Sequence, residues 1–392
     1  MKLSKRERVI RTLELDENID MLPIHYLGFE KTGMSYQNFL KTREYEEYYE
    51  YIENDFSKIK YCWAGDITEL RYWNVDCYAM DPWGPKKFKE RTTRAPSGYP
   101  SDCLLSTLDG RIWKLVKQVD TGLNYLWYVD GYYKTPEILY SYWEKFGRPS
   151  ERVNDKINYT PQIWDNYVDS LEKYVYPIAA LPASIHESLF EGLTMSRVAY
   201  YMRKNPKFIH DIVNEYTKLN IEIVKRFHEA GVEIVFYFDD LGYKGSSILS
   251  IENFKNFILP YYKKLYSTCK EKGMFIVQHS CGYIDKNLPY MADAGLDCIQ
   301  ALEPAAGVDL AYLKQTLGDK LAFMGGIDSS PILNFGTPDE IFKEVKRCIE
   351  AAGHGGGYFI GPSHNILNAP WENIKALKRA IEKYRKYPLN LN

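Results

Sequence analysis

From about Tyr174 onward the chain alternates short, continuous apolar runs with longer amphipathic stretches. The runs Val175–Leu181, Val232–Phe238, Met274–His279, Leu296–Leu302, Leu321–Gly325 and Tyr358–Ile360 read as strands. Between them, helical periodicity covers a stretch ending near Met202, then Pro206–His228, Ile251–Lys272, Ile284–Ala294, Leu310–Leu317, Pro338–Ala352 and Pro370–Tyr387. Ser250 and Thr337 are suited to cap the helices they precede, and Gly295 to end one. Strands without polar alternation, separated by helices, are buried on both faces and belong to a parallel sheet. The N-terminal half adds two candidate strands, Met21–Phe29 and Ser57–Trp63, around a Tyr-rich helical stretch from about Tyr36 to Glu53. Eight βα units predict a TIM (β/α)8 barrel. Between Asp66 and about Gly147 the beat lapses into short β segments with Asp-Gly turns, which predicts an antiparallel β excursion inserted after the second strand, a β-rich subdomain at 67–147. The whole chain, 1–392, is otherwise expected to be a single barrel. A doubly wound sheet is disfavoured because no Gly-rich phosphate loop follows the first strand.

Composition narrows the functional classes. With 45% hydrophobic and 26% charged residues, the 392-residue chain can build a full core. Its net charge of −2 offers no general attraction to nucleic acid or anionic lipid. The apolar stretch Val175–Ala183 is far shorter than the roughly 20 residues of a membrane span, so no membrane partner is expected. The charged N-terminus leads into an amphipathic segment and does not read as a secretion signal. Seven irregularly spaced cysteines without a CxxC pair argue for reduced thiols and a cytoplasmic location. Tyrosine, at 34 residues, is the compositional outlier, which suits interfaces or an aromatic-lined pocket as well as simple bias.

In a barrel the chemistry gathers at the C-terminal strand ends. The strongest feature there is His279-Ser-Cys281-Gly282. An i, i+2 pair in extended backbone puts imidazole and thiolate on one side, in reach of one Zn²⁺. His364, Glu303 and Asp239 are candidates to complete the ligand set. Asp239 and Asp240 could also be a solvated or capping pair, Glu303 could simply hold loop amides, and His279 and Cys281 could be a packed histidine beside an inert thiol. His25 and His186 belong to the same mouth without a spacing partner. Tyr26, Trp63 and Tyr243 are candidates to stack on an aromatic substrate. Cys62, Cys269, Cys298 and Cys348 read as core. The Gly355-Gly356-Gly357 run precedes its strand, whereas a phosphate cradle follows one, and so reads as a tight connection.

An ordered set of motifs gives a resemblance. Phe238-Asp-Asp240, Leu249-Ser250, Pro260-Tyr-Tyr-Lys263, His279-Ser-Cys-Gly282, Glu303-Pro-Ala-Ala-Gly-Val-Asp309, Gly325-Gly-Ile-Asp328, Gly361-Pro-Ser-His-Asn365 and Pro370-Trp-Glu-Asn373 resemble the uroporphyrinogen decarboxylase superfamily. The likeness runs from roughly Pro177 to Tyr387, more faintly through Met1–Phe29 and Asp81-Pro-Trp-Gly84. The superfamily is built on a TIM barrel. Its decarboxylases carry an Arg-Gln-Ala-Gly-Arg-Tyr-like segment after the first strand. Here His25-Tyr-Leu-Gly-Phe-Glu-Lys-Thr-Gly33 lacks those arginines, while Asp66 falls where that branch has its essential aspartate.

The other branch comprises corrinoid-linked methyltransferases, whose HxCG binds zinc together with a second cysteine. Ser363-His364 stands where that cysteine is expected, so His364 takes its place in the implied site. The resemblance implies zinc on His279, Cys281 and His364, and a corrinoid (cobalamin) carried by a partner protein. No Asp-x-His-x-x-Gly loop is present to carry it in this chain. The implied reaction moves a methyl group from a small methylated substrate, an aromatic methyl ether or methylamine, to Co(I), as in O-demethylation. Asp239, Asp240, Glu303 and Asp66 are the candidate catalytic acids. His25, Tyr26, Trp63, His186, Tyr243 and Asn365 are the candidate substrate contacts. The alternative is a metal-free, uroporphyrinogen-decarboxylase-like carboxy-lyase acting on a tetrapyrrole or other carboxylated substrate through Asp66 and the Asp239-Asp240 pair. A homodimer is left open.

Overall fold

The computed structural model describes residues 2–49, 67–81, 91–157 and 159–391. The expected strand Ser57–Trp63, with Cys62, Trp63 and Asp66, and Pro82-Trp83-Gly84 lie outside the described residues.

Seven parallel strands form one sheet: β1 (Cys77–Met80), β6 (Tyr176–Leu181), β7 (Ile234–Phe238), β10 (Phe275–Ser280), β11 (Cys298–Ala301), β12 (Ala322–Ile327) and β13 (Tyr358–Pro362), hydrogen-bonded in that order. The edges β1 and β13 meet through the extended segment before His25, where Ile24 bridges Ile360 and His25 bridges Cys77, both in parallel. Met21–Phe29 therefore fills a strand's place with only single bridges, because Pro23 has no N–H to donate and Gly28 turns the chain at φ +104°. The fold is α/β and TIM-barrel-like. The sheet position next to this segment is taken by Cys77–Met80.

Between β1 and β6 in sequence lies a four-stranded antiparallel sheet: β2 (Thr92–Arg94), β3 (Cys103–Ser106), β4 (Arg111–Lys117) and β5 (Asn124–Gly131). These strands occupy a narrower interval than 67–147, whose ends are helices, Ile67–Trp73 and Pro136–Phe146. Of the two Asp-Gly pairs, Asp109-Gly110 turns β3 into β4, whereas Asp130-Gly131 ends β5.

Strand alternation divides the core in two. Ala79, Ile178, Ala180, Phe236, Val277, Cys298, Met324 and Phe359 point inward, and the N-terminal helix Lys5–Leu13 packs Val9 and Leu13 against them. The opposite face, including Val235, Tyr237, Ile276, Ile299, Phe323 and Ile360, packs on the outer helices. Ser250 caps its helix through a bond from the Asn253 N–H at 3.2 Å, and Thr337 with Glu340 forms a capping box. Two expected helices are broken. Ile251–Lys272 splits at Ile258, with Pro260 in the first turn of Leu259–Glu271, and the stretch ending near Met202 splits at Thr194, φ +79°. Among the described residues no helix is long and apolar enough to cross a membrane.

Candidate metal centre at the sheet's C-terminal edge

Period-2 alternation decides which strand-end residues face the mouth. Val277 is inward, so His279 and Cys281 follow it on the same face; Cys298 is inward, so Gln300 follows. In register, His279 sits between Phe238 on β7 and Gln300 on β11. His279 Nδ1 bonds Gln300 Oε1, an atom that only accepts. The ring proton is therefore held on Nδ1, and the Nε2 lone pair faces Cys281 Sγ at 3.1 Å. The Gln300 amide nitrogen donates to the Ser363 carbonyl at 3.3 Å, tying the strand that orients His279 to the residue before His364.

One donor atom from each of His279, Cys281 and His364 lies within 4.8 Å of the others. Tetrahedral zinc spaces its nitrogen and sulfur ligands by roughly 3.3–3.8 Å, so small side-chain adjustments would bring this set onto one ion. Burial pushes the Cys281 thiol well above its ordinary pKa, with Asp240 and Glu303 adding to the effect. A cation is what would reverse that. Burial also lowers the His364 pKa, which keeps it neutral as a ligand must be. Neither Glu303 nor Asp239 joins the donor set.

The Asp239-Asp240 doublet splits by the same alternation. Asp240 turns to the mouth, accepts from the Cys281 N–H at 2.7 Å and lies 3.5 Å from His279 Nε2. Asp239 turns outward and is fully buried. It accepts from the N–H groups of Ile185, His186 and Glu187 at 2.8–3.0 Å and from the Tyr237 and Tyr262 hydroxyls at 2.6 and 2.8 Å. The expectation of Asp239 as an acid or ligand at the mouth is thus corrected: it anchors the start of the helix His186–Leu193.

The loop carrying Cys281 is held close to the two-stranded hairpin that follows β7, β8 (Gly242–Tyr243) and β9 (Ser246–Ser247). Gly242 N donates to the Cys281 carbonyl at 3.1 Å, and Tyr283 N to that of Tyr243 at 3.0 Å. Gly282 sits at φ +78°, and a Cβ on it would lie 2.3 Å from the Gly242 carbonyl carbon. Gly282→Ala is accordingly expected to cost about 2 kcal/mol or more and to weaken metal retention. Chemical denaturation and metal content check this; an alanine variant as stable as the parent contradicts it. Glu303 braces the same loop by accepting from the Gly282 N–H at 3.0 Å. The chain reaches Glu303 through Ala301 and Leu302, which hold positive φ of 110° and 60°, a strained strand end.

A cavity of about 320 Å³ adjoins these groups, lined among others by His25, Tyr26, Tyr78, Phe238, His279 and Asn365. The His25 ring stacks on Phe236, and neither ring nitrogen has a protein partner among the described residues. Asn365 donates to the Leu27 and Gly28 carbonyls at 3.2 Å, so it shapes the wall and has its amide occupied. Tyr26 packs against Trp73 and Phe29 as much as it lines the cavity. Tyr243 stands off it, 68% exposed.

His186 is buried, with Nδ1 on the Asp240 carbonyl at 2.5 Å. Burial lowers its pKa from 6.5 to about 4. Between those values the unfolded chain takes a proton that the folded chain refuses, so stability is lost as pH falls from about 6.5 to about 4, by up to about 3 kcal/mol. His186→Gln is expected to flatten this part of the unfolding profile, and an unaltered slope contradicts that assignment. Glu187, the next residue, is a site residue that the sequence reading missed. Burial, reinforced by Asp240 and Glu191, holds its carboxyl well above the usual range. The available signal was the i, i+4 spacing of Glu187 and Glu191 directly after a strand end.

Residues 171–384 match the family model for uroporphyrinogen decarboxylase (URO-D), more than half of the 392-residue chain. A methylated-thiol–coenzyme M methyltransferase of Methanosarcina mazei is 26% identical over 189 residues, 48% of either chain. A uroporphyrinogen decarboxylase of Chlorobium phaeobacteroides is 27% identical over 190 residues, 46% of this chain and 51% of that one. The chain thus spans about half the length of the curated relatives it matches. A solved methyltransferase from Methanosarcina mazei superposes with TM-score 0.64 at 16% identity over 97% of this chain and 99% of the other, a likeness of fold. From the matched residues, the chain belongs to the uroporphyrinogen decarboxylase (URO-D) family.

Proposed function

We propose that the protein is a methyltransferase that moves a methyl group from a small methylated substrate to the corrinoid of a partner protein. The observation that carries this reading is the convergence of His279, Cys281 and His364 on one point at the mouth of the sheet. The methylated-thiol–coenzyme M methyltransferase relative supports it, as does the absence from His25–Gly33 of the decarboxylase arginines. Zinc held there would act as a Lewis acid on the heteroatom that carries the methyl group, and the partner's Co(I) would accept the methyl.

The chain's own residues have distinct tasks. Gln300 fixes the His279 tautomer. Asp240 holds the Cys281 backbone and faces the donor set. Glu187, whose carboxyl is held well above the usual range by burial and by Asp240, is the candidate to supply the proton that a departing alkoxide or amine needs. Asp239 acts by positioning, since its oxygens are engaged in the helix His186–Leu193 and the two tyrosines. His25, Phe238 and Asn365 shape the cavity that excludes water from the substrate. The imidazole in place of a second thiolate makes the ligand set less anionic, which suits an ether or amine better than activation of a thiol. The metal-free lyase reading loses one of its carboxylates with Asp239 turned away from the mouth.

The test is methyl transfer to cob(I)alamin, followed by its absorbance, over a panel of methyl ethers, methylamines and methylated thiols. Turnover of an ether or amine with no release of carbon dioxide from uroporphyrinogen is the expected result. Decarboxylation without methyl transfer overturns the proposal.

A further inference from the structure

A second cavity, of about 300 Å³, lies between the antiparallel sheet and the ends of β6 and β7. Its charged lining is Arg91, Arg111 and Lys156 against Asp81 and Asp109, set in an apolar wall that includes Trp113 and Leu181. Phe238 lines both this chamber and the cavity at the candidate metal centre, and its ring centroid is 5.5 Å from that of His279. The two cavities therefore meet across one aromatic side chain.

Two of these cations, Lys156 and Arg111, have bonding capacity left over. Lys156 ends the short helix Val153–Lys156 with its side chain only 8% exposed, and its ion-pair partner among the described residues is Asp109 Oδ2 at 3.7 Å. Arg111 Nη2 is in an ion pair with Glu191 Oε2 at 2.6 Å, but its Nε lies 3.6 Å from Asp109 Oδ2 and is buried with no hydrogen-bond acceptor among the described residues. Both contacts to Asp109 are longer than hydrogen bonds. A buried ammonium and a buried guanidinium N–H sharing one carboxylate at that distance have an ion pair but no hydrogen-bond acceptor among the described residues, and desolvated donors of this kind are costly unless something fills them. The Trp113 ring, 5.4 Å from the Arg111 guanidinium carbon, holds the fork in place.

We propose that this chamber binds an anionic oxygen group, a carboxylate or sulfonate, at the end of the substrate opposite to its methyl group. The proposal rests on the methyltransferase reading for the other end of the molecule. The substrate class is then a small methylated compound with a remote anion, its body passing over Phe238. Arg111 and Lys156 are specificity-determining residues that touch the anion and take no part in the transfer itself.

Isothermal titration of the full-length protein, metal-free after chelation and again with zinc restored, tests this with 4-methoxybenzoate, 4-methoxybenzenesulfonate and neutral 4-methoxybenzamide. The expected result is saturable binding of at least one anion, at least about tenfold tighter than the amide in both metal states. Lys156→Met should remove that preference and Lys156→Arg retain it, with zinc content unchanged in both. A smaller preference in the parent protein, or no saturable anion binding, overturns the chamber assignment, and needs no variant to fold. The metal-free arm keeps this outcome separate from the metal-site reading, which zinc content and methyl transfer decide independently.

Discussion

Asp239→Ala is expected to lower the free energy of unfolding by about 3–5 kcal/mol, the largest stability effect of any single side chain at the strand ends. The fully buried carboxylate is the shared acceptor for three backbone N–H groups and two tyrosine hydroxyls. Truncation removes the acceptor of the His186 and Glu187 N–H groups and of the two tyrosine hydroxyls and leaves a buried cavity. The helix His186–Leu193 then loses the group that compensates its N-terminus, and His186 and Glu187 lose their fixed positions. Asp239→Asn keeps the shape but aims an N–H₂ at groups that are themselves donors, so a substantial part of the loss is expected from it too. Urea denaturation at neutral pH measures both. A cost below about 1 kcal/mol for the alanine variant means that Asp239 is not the anchor described here.

Cys281→Ala is expected to leave the fold within about 1 kcal/mol of the parent, because the thiol is half-buried at a loop and supports no core packing. Methyl transfer should nevertheless fall by at least about a hundredfold, since loss of a direct ligand exceeds the cost of losing an outer-shell partner. The contrast with Asp239 is diagnostic. The carboxylate is expected to act through stability and the thiol through chemistry, although both lie just past strand ends. A Cys281→Ala variant with undiminished transfer contradicts a thiolate in the site.

The difference between these residues was partly legible in the sequence. Alternation along Phe236-Tyr-Phe-Asp-Asp240 already implies that Asp240 shares the inward face with Phe236, and that Asp239 shares the outward face with Tyr237. What settles it is contributed from far along the chain, by Tyr262 and the N–H groups of residues 185–187. The strands from Tyr176 onward stand out because continuous apolar runs buried on both faces have no competing explanation. Cys77–Met80 does not stand out: four residues, two of them Cys and Tyr, carry too little periodicity to mark a strand. The positive φ of Ala301 and Leu302, which delivers Glu303 to the Gly282 amide, has no signal in residues that are not glycine. The tyrosine excess finds a use in the interior more than in a substrate mouth. Buried hydroxyls of Tyr237, Tyr262, Tyr266 and Tyr358 serve Asp239, Gln278 and the Gly325 carbonyl, each filling core volume while satisfying a polar atom.

The three-residue metal site is tested by elemental analysis of the chain purified without chelator, beside His279→Ala, Cys281→Ala and His364→Ala prepared in parallel. About one zinc per chain is expected in the parent and little in each variant. A parent without zinc, or a His364→Ala variant that holds as much as the parent, contradicts the three-residue site.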